Sequence, residues 1–69
     1  MTDYDGYIKY SLVVNLLKNE HTARELVILS QLTAPTLYRI VKVLLEKDVI
    51  KVVRYNMNAG RKERVFKIK

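Results

Sequence analysis

A chain of 69 residues with no cysteine cannot be stapled by disulfide bonds. Its single histidine, His21, is too little for the usual zinc-ligand sets. Domains of this size bury roughly 60% of their unfolded surface. Stability must therefore come from close packing or from a partner subunit. Hydrophobic residues make up 49% of the chain, enough for one packed core and too many for a disordered segment. One domain over residues 1–69 is expected, with no metal and no cofactor. No apolar run approaches the ~18 residues of a membrane span. Asp3 and Asp5 put acid where a signal peptide carries basic charge. A cytoplasmic protein with no membrane association is the expectation.

Charge is divided unevenly. Residues 1–38 sum to −1, whereas residues 39–69 carry ten basic residues against Glu46, Asp48 and Glu63, a sum of +7. Such an imbalance is the footprint of a surface that binds a polyanion.

Periodicity predicts three helices. The first covers about 4–18, with Ile8, Leu12 and Leu16 as the inward stripe, widened by Val13 and Leu17. Thr22-Ala23-Arg24-Glu25 is a capping-box sequence that opens a second helix over about 22–30. Ala23, Leu26, Val27 and Ser30 are its expected inward residues, and His21 before it reads as a solvent-facing linker. Thr33 is the candidate cap of a third helix, about 34–47, with Pro35 in the first turn and Leu37, Ile40, Val41 and Leu44 inward. Two short helices joined by a tight turn form a helix-turn-helix. After Asp48 the period changes. β-Branched residues from Val49 to Tyr55 predict a strand, Asn56 to Gly60 a turn with positive φ at glycine or asparagine, and Glu63 to Ile68 a second strand. The fold class expected is α+β, mostly α: three helices followed by a two-stranded hairpin over about 49–68.

Three stretches carry a resemblance: Thr22-Ala23-Arg24-Glu25-Leu26, Leu32-Thr33-Ala34-Pro35-Thr36-Leu37-Tyr38-Arg39-Ile40, and Leu45-Glu46-Lys47-Asp48-Val49-Ile50. Their order resembles the winged helix-turn-helix transcription regulators of bacteria and archaea, including the MarR-, PadR- and ArsR-like groups, without singling out one subfamily. Three departures stand out. Gln31 and Asp48 replace glycines usual at the helix exits, and Val43 and Leu45 are apolar where charged residues are usual.

The resemblance implies a DNA-binding transcription regulator whose third helix enters the major groove, with the hairpin as a wing on the flanking backbone or minor groove. Pro35, Thr36, Tyr38, Arg39 and Lys42 would then face the DNA. Arg39 suits bidentate pairing with guanine, Pro35 and Thr36 suit close approach, and Tyr38 and Lys42 suit phosphate. Arg54, Arg61, Lys62 and Arg64 cluster around the hairpin tip. They suit the backbone or minor groove, although charge on exposed strands also blocks edge-to-edge aggregation. Thr22 and Arg24 at the start of the second helix are further phosphate candidates. Tyr4, Tyr7 and Tyr10 recur every three residues, and with apolar Val43 and Leu45 they suggest a homodimer through the first helix.

Catalysis is not expected. The chain has no nucleophile–base pair and only two glycines from which to build a phosphate loop. No small-molecule pocket is evident. The alternatives are a winged helix used for protein–protein contact and an architectural protein that binds DNA without sequence preference. Basic charge on the third helix and hairpin favours DNA over protein. RNA fits poorly, because the A-form major groove is too narrow for a reading helix.

Overall fold

The computed structural model describes residues 3–69, with side chains from Ile8 onward. Its elements run α1 (Asp3–Leu16), β1 (His21–Thr22), α2 (Ala23–Ser30), α3 (Ala34–Glu46), β2 (Ile50–Asn58) and β3 (Arg61–Ile68). Three helices stand against an antiparallel sheet in the order β1-β3-β2, an α+β arrangement. The sheet has one strand more than the expected hairpin. His21 and Thr22, read from sequence as a linker and a cap, pair with Phe66 and Val65. A two-residue strand has no alternating pattern to betray it. Its existence depends on β3, more than forty positions away.

One core joins all layers. Val13 and Leu17 of the α1 end, Leu26 of α2, Leu37, Ile40, Val41 and Leu44 of α3, and Ile50 and Phe66 of the sheet are buried together. The inward stripes of α2 and α3 are those expected, with Ala23 and Val27 at the rim of the core. That of α1 is not. Ile8 is 48% and Leu12 37% exposed, and the buried pair is Val13 and Leu17, with Tyr10, Val14 and Leu16 at the rim. Val13 and Leu17, expected at the edge of the stripe, are its buried centre, so the inward face lies further round α1 than expected. Apolar side chains surround α1 with no net preference for a side, so packing against α2 and α3 selects the face. Leu45 packs against the core and Val43 is half-buried. That burial accounts for Leu45 where the resemblance has charge. Tyr4 and Tyr7 lie outside the residues whose side chains are described.

Helix ends follow local chemistry. The Thr22 hydroxyl accepts from the Glu25 amide (3.2 Å) while the Thr22 amide donates to the Glu25 carboxylate (2.9 Å), closing the capping box. Gln31 ends α2 at φ 61°, its amide donating to the Val27 carbonyl at 3.1 Å. Asp48 ends α3 at φ 64°; its amide reaches the Leu45 carbonyl and the Val49 amide reaches that of Leu44. Both residues take the left-handed conformation that glycine would take more cheaply. Thr33 has the extended backbone of a cap, but its side chain makes no capping bond. Its hydroxyl donates to Thr36 instead. Between α2 and α3 the chain turns by 119°, within the range of a helix-turn-helix.

The hairpin keeps the expected bounds, but its strands are longer and its turn tighter than expected. Asn56 and Asn58 belong to β2, and only Ala59 (φ 52°) and Gly60 (φ 80°) make the turn. Two successive positive φ angles are the mark of the two-residue hairpin turn. Val52 pairs with Phe66 and Arg54 with Val65, so Val53 is an extra residue, a β-bulge. The molecule measures 40 × 23 × 18 Å. Among the described residues no single helix is long and apolar enough to cross a membrane.

Candidate nucleic-acid interface

Because Leu37, Ile40, Val41 and Leu44 face the core, the opposite arc of α3 faces solvent. At about 100° per residue that arc holds Pro35, Tyr38, Arg39 and Lys42, all exposed. Tyr38 is 55% exposed despite its size. Thr36 lies at the margin, half-buried, its hydroxyl accepting from that of Thr33 at 2.9 Å. Glu46 occupies the far end of the same arc. The positive charge of α3 sits at its middle, in Arg39 and Lys42, ahead of Glu46.

Beside this arc runs an open groove of about 630 Å³, bounded by the start of α2, the outer side of α3 and strand β3. Arg24, Tyr38, Lys42, Arg61, Glu63 and Arg64 line its walls, over Ala23, Val41, Leu45 and Phe66. Five residues singled out from sequence on three separate elements thus meet in one place. The Arg64 guanidinium sits 5.3 Å from the centre of the Phe66 ring, a cation–π contact that holds the charge at the groove wall. Arg24 reaches Glu63 at 3.3 Å across the groove mouth. Among the described residues, Arg39, Lys42, Arg61, Lys62 and Arg64 have no carboxylate partner. Their charge is therefore left uncompensated and directed outward.

Two expected contact residues are placed differently. Thr22 is 4% exposed and its hydroxyl is committed to the α2 cap, which keeps it off the outer surface. Arg54 pairs with Val65 in the sheet and donates to Glu20 at 2.9 Å and to Asn56. These bonds tie it to the segment before β1, on the sheet face away from Phe66. Lys62 is exposed near the hairpin tip, beyond the groove.

Glu63, Tyr55 and Met57 were not singled out from sequence. Glu63 is the acid that orders Arg24, and only the fold brings them together. Tyr55 (60% exposed) and Met57 (67%) stand directly across from Arg64 and Lys62. The capping-box carboxylate also has a measurable character. The Thr22 amide holds Glu25 below the usual carboxylate range, and His21, whose Nδ1 lies 3.5 Å away, and Arg24 pull the same way. A scan against protein-family models finds no match, and a search of curated proteins finds none either. The functional reading rests on this geometry: an exposed helix arc and a cationic groove side by side, under a protruding hairpin.

Proposed function

We propose that the protein is a winged helix-turn-helix domain that binds double-stranded DNA sequence-specifically and regulates transcription inside the cell. α3 enters the major groove, and the β2–β3 hairpin is the wing. One observation carries the reading. Tyr38 and Lys42 of α3 share a groove with Arg61 and Arg64 of the hairpin, and the neighbouring cations lack acidic partners. Arg39 reads a base, since a guanidinium pairs bidentately with guanine O6 and N7. Pro35 and Thr36 permit close approach, while Tyr38, Lys42, Arg24 and the hairpin cations hold phosphates and set register. The short strand before α2, which joins the hairpin in a sheet of order β1-β3-β2, is compatible with this reading.

The active form is a homodimer through α1. Ile8 and Leu12, four residues apart, form an outward apolar face. Two-fold symmetry would pair two recognition helices with half-sites about one DNA turn apart.

Selection of bound sequences from a random duplex pool tests this reading. A defined enriched motif is expected. Arg39→Ala should relax preference at one position of it. Lys62→Ala should weaken all sequences alike and reduce the salt slope by about one. Retention of duplex without enrichment would turn the reading to an architectural protein. Failure to retain any duplex would turn it to a protein-contact module, for which exposed Ile28 and Leu29 on α2 are the available surface.

A further inference from the structure

We infer that the outer half of the hairpin is a wedge: Met57 enters between base pairs from the minor groove next to the α3 site and bends the duplex. This rests on the DNA-binding reading above and adds to it a mode of deformation.

The β-bulge is the starting point. Counting by twos from Val52, which lies opposite Phe66, would put Arg54, Asn56 and Asn58 on the face of β2 that continues from the core. The extra residue Val53 shifts that parity. Beyond it, Tyr55 pairs with Arg64 and Met57 with Lys62, and directly opposed residues point to the same face. Along β3 the alternation Phe66, Arg64, Lys62 is uninterrupted. One face of the arm therefore carries Phe66 in the core, then Tyr55 with Arg64, then Met57 with Lys62. Phe66 packs against the helices, so beyond the core this face continues the helix side of the sheet, while the cationic groove, which takes Arg61 and Glu63 as well as Arg64 and Phe66, runs along the β3 edge beside it. Bulges commonly serve to re-aim a side chain in this way. Here the bulge brings two apolar side chains to that face and sends Arg54 and Asn56 to the other.

Neither apolar side chain serves the fold. Tyr55 is 60% and Met57 67% exposed, and neither belongs to the core or its rim. They alternate with cations, which suits a polyanion and opposes a neutral apolar partner. Reach is adequate: adjacent major and minor grooves lie about 17 Å apart, half a turn of ~34 Å, and the molecule is 40 Å long. Width is the difficulty that a wedge resolves. A two-stranded ribbon fits the ~12 Å major groove but not an undistorted minor groove of ~6 Å. An apolar side chain that parts a base step opens the minor groove and kinks the duplex away from the protein. Met57, unbranched and near the tip, is shaped for that step. Lys62 and Arg64 then hold the phosphates on either side.

The test uses the full chain and a selected duplex of about 30 base pairs labelled at both ends. Energy transfer reports the end-to-end distance, and anisotropy reports affinity. Wild type should shorten the distance and should bind at least ~10-fold tighter when a mismatch loosens the step under the hairpin, as prior unstacking lowers the cost. Met57→Ala should keep binding the intact duplex, lose most of the shortening and lose the mismatch preference, and Met57→Leu should restore both. Binding by wild type with unchanged distance, or equal shortening by Met57→Ala, overturns the wedge and leaves the DNA reading standing. Absence of duplex binding by wild type overturns both.

Discussion

Ala59 occupies a backbone state that costs an L-residue with a Cβ about 1–2 kcal/mol, at φ 52° ahead of Gly60 at φ 80°. Asparagine tolerates that state through local hydrogen bonding, and Asn-Gly is the preferred pair for this turn. Ala59→Asn should therefore stabilise the protein by about 1 kcal/mol and raise Tm by about 4–8 °C, for a domain of this size. A thermal melt at fixed protein concentration checks it. An unchanged or lower Tm would mean the turn differs from the one described. Gln31 and Asp48 show the same economy, both left-handed at helix exits. At Asp48 the carboxylate also gains an ion pair with Lys69, which glycine cannot supply.

The capping box shows how an element responds to its surroundings. Glu25 accepts from the Thr22 amide and neighbours His21 and Arg24, so folding favours its ionised form. A carboxylate held below its unfolded value stabilises the fold above that value, about 4.3, and loses the contribution as pH falls through its folded value. Glu25→Gln keeps an acceptor for the cap and removes the charge. The variant should melt below wild type at pH 7, and the gap should close as pH is lowered below about 4. Its side chain is 54% exposed, so solvent screening keeps the gap small. A gap that stays constant through the acid range would contradict the assignment. For α3 the design is simpler. One side is buried, the other carries Tyr38, Arg39 and Lys42, and the capped exit delivers the chain into β2.

For the whole molecule, size is the governing constraint. A 69-residue chain without disulfides has a small core, and the outward apolar face of α1 offers further burial in a dimer. Replacing Ile8 and Leu12 together by glutamate should convert a sedimenting dimer to a monomer with the same far-UV circular dichroism. Cooperative binding to paired half-sites should be lost with it. If wild type sediments as a monomer at the concentrations where it binds, the dimer is wrong and α1 faces solvent. Shape follows from a division of labour. The helices and the inner sheet hold the core, while the outer hairpin projects and gives up burial to extend the cationic surface.

Most of the fold was legible in the chain because its signals are local. Helical period, the Thr22 to Glu25 box, Pro35 in a first turn and the change of period after Asp48 all act within a few residues. So does the accumulation of charge after residue 38. The tertiary structure alone decided the rest. The face of α1 that is buried, strand β1, the bulge at Val53 and the ion pair of Arg24 with Glu63 each depend on a partner distant in sequence. Packing chooses among several apolar stripes, and strand register turns on single residues, so neither choice is written in any short stretch of sequence.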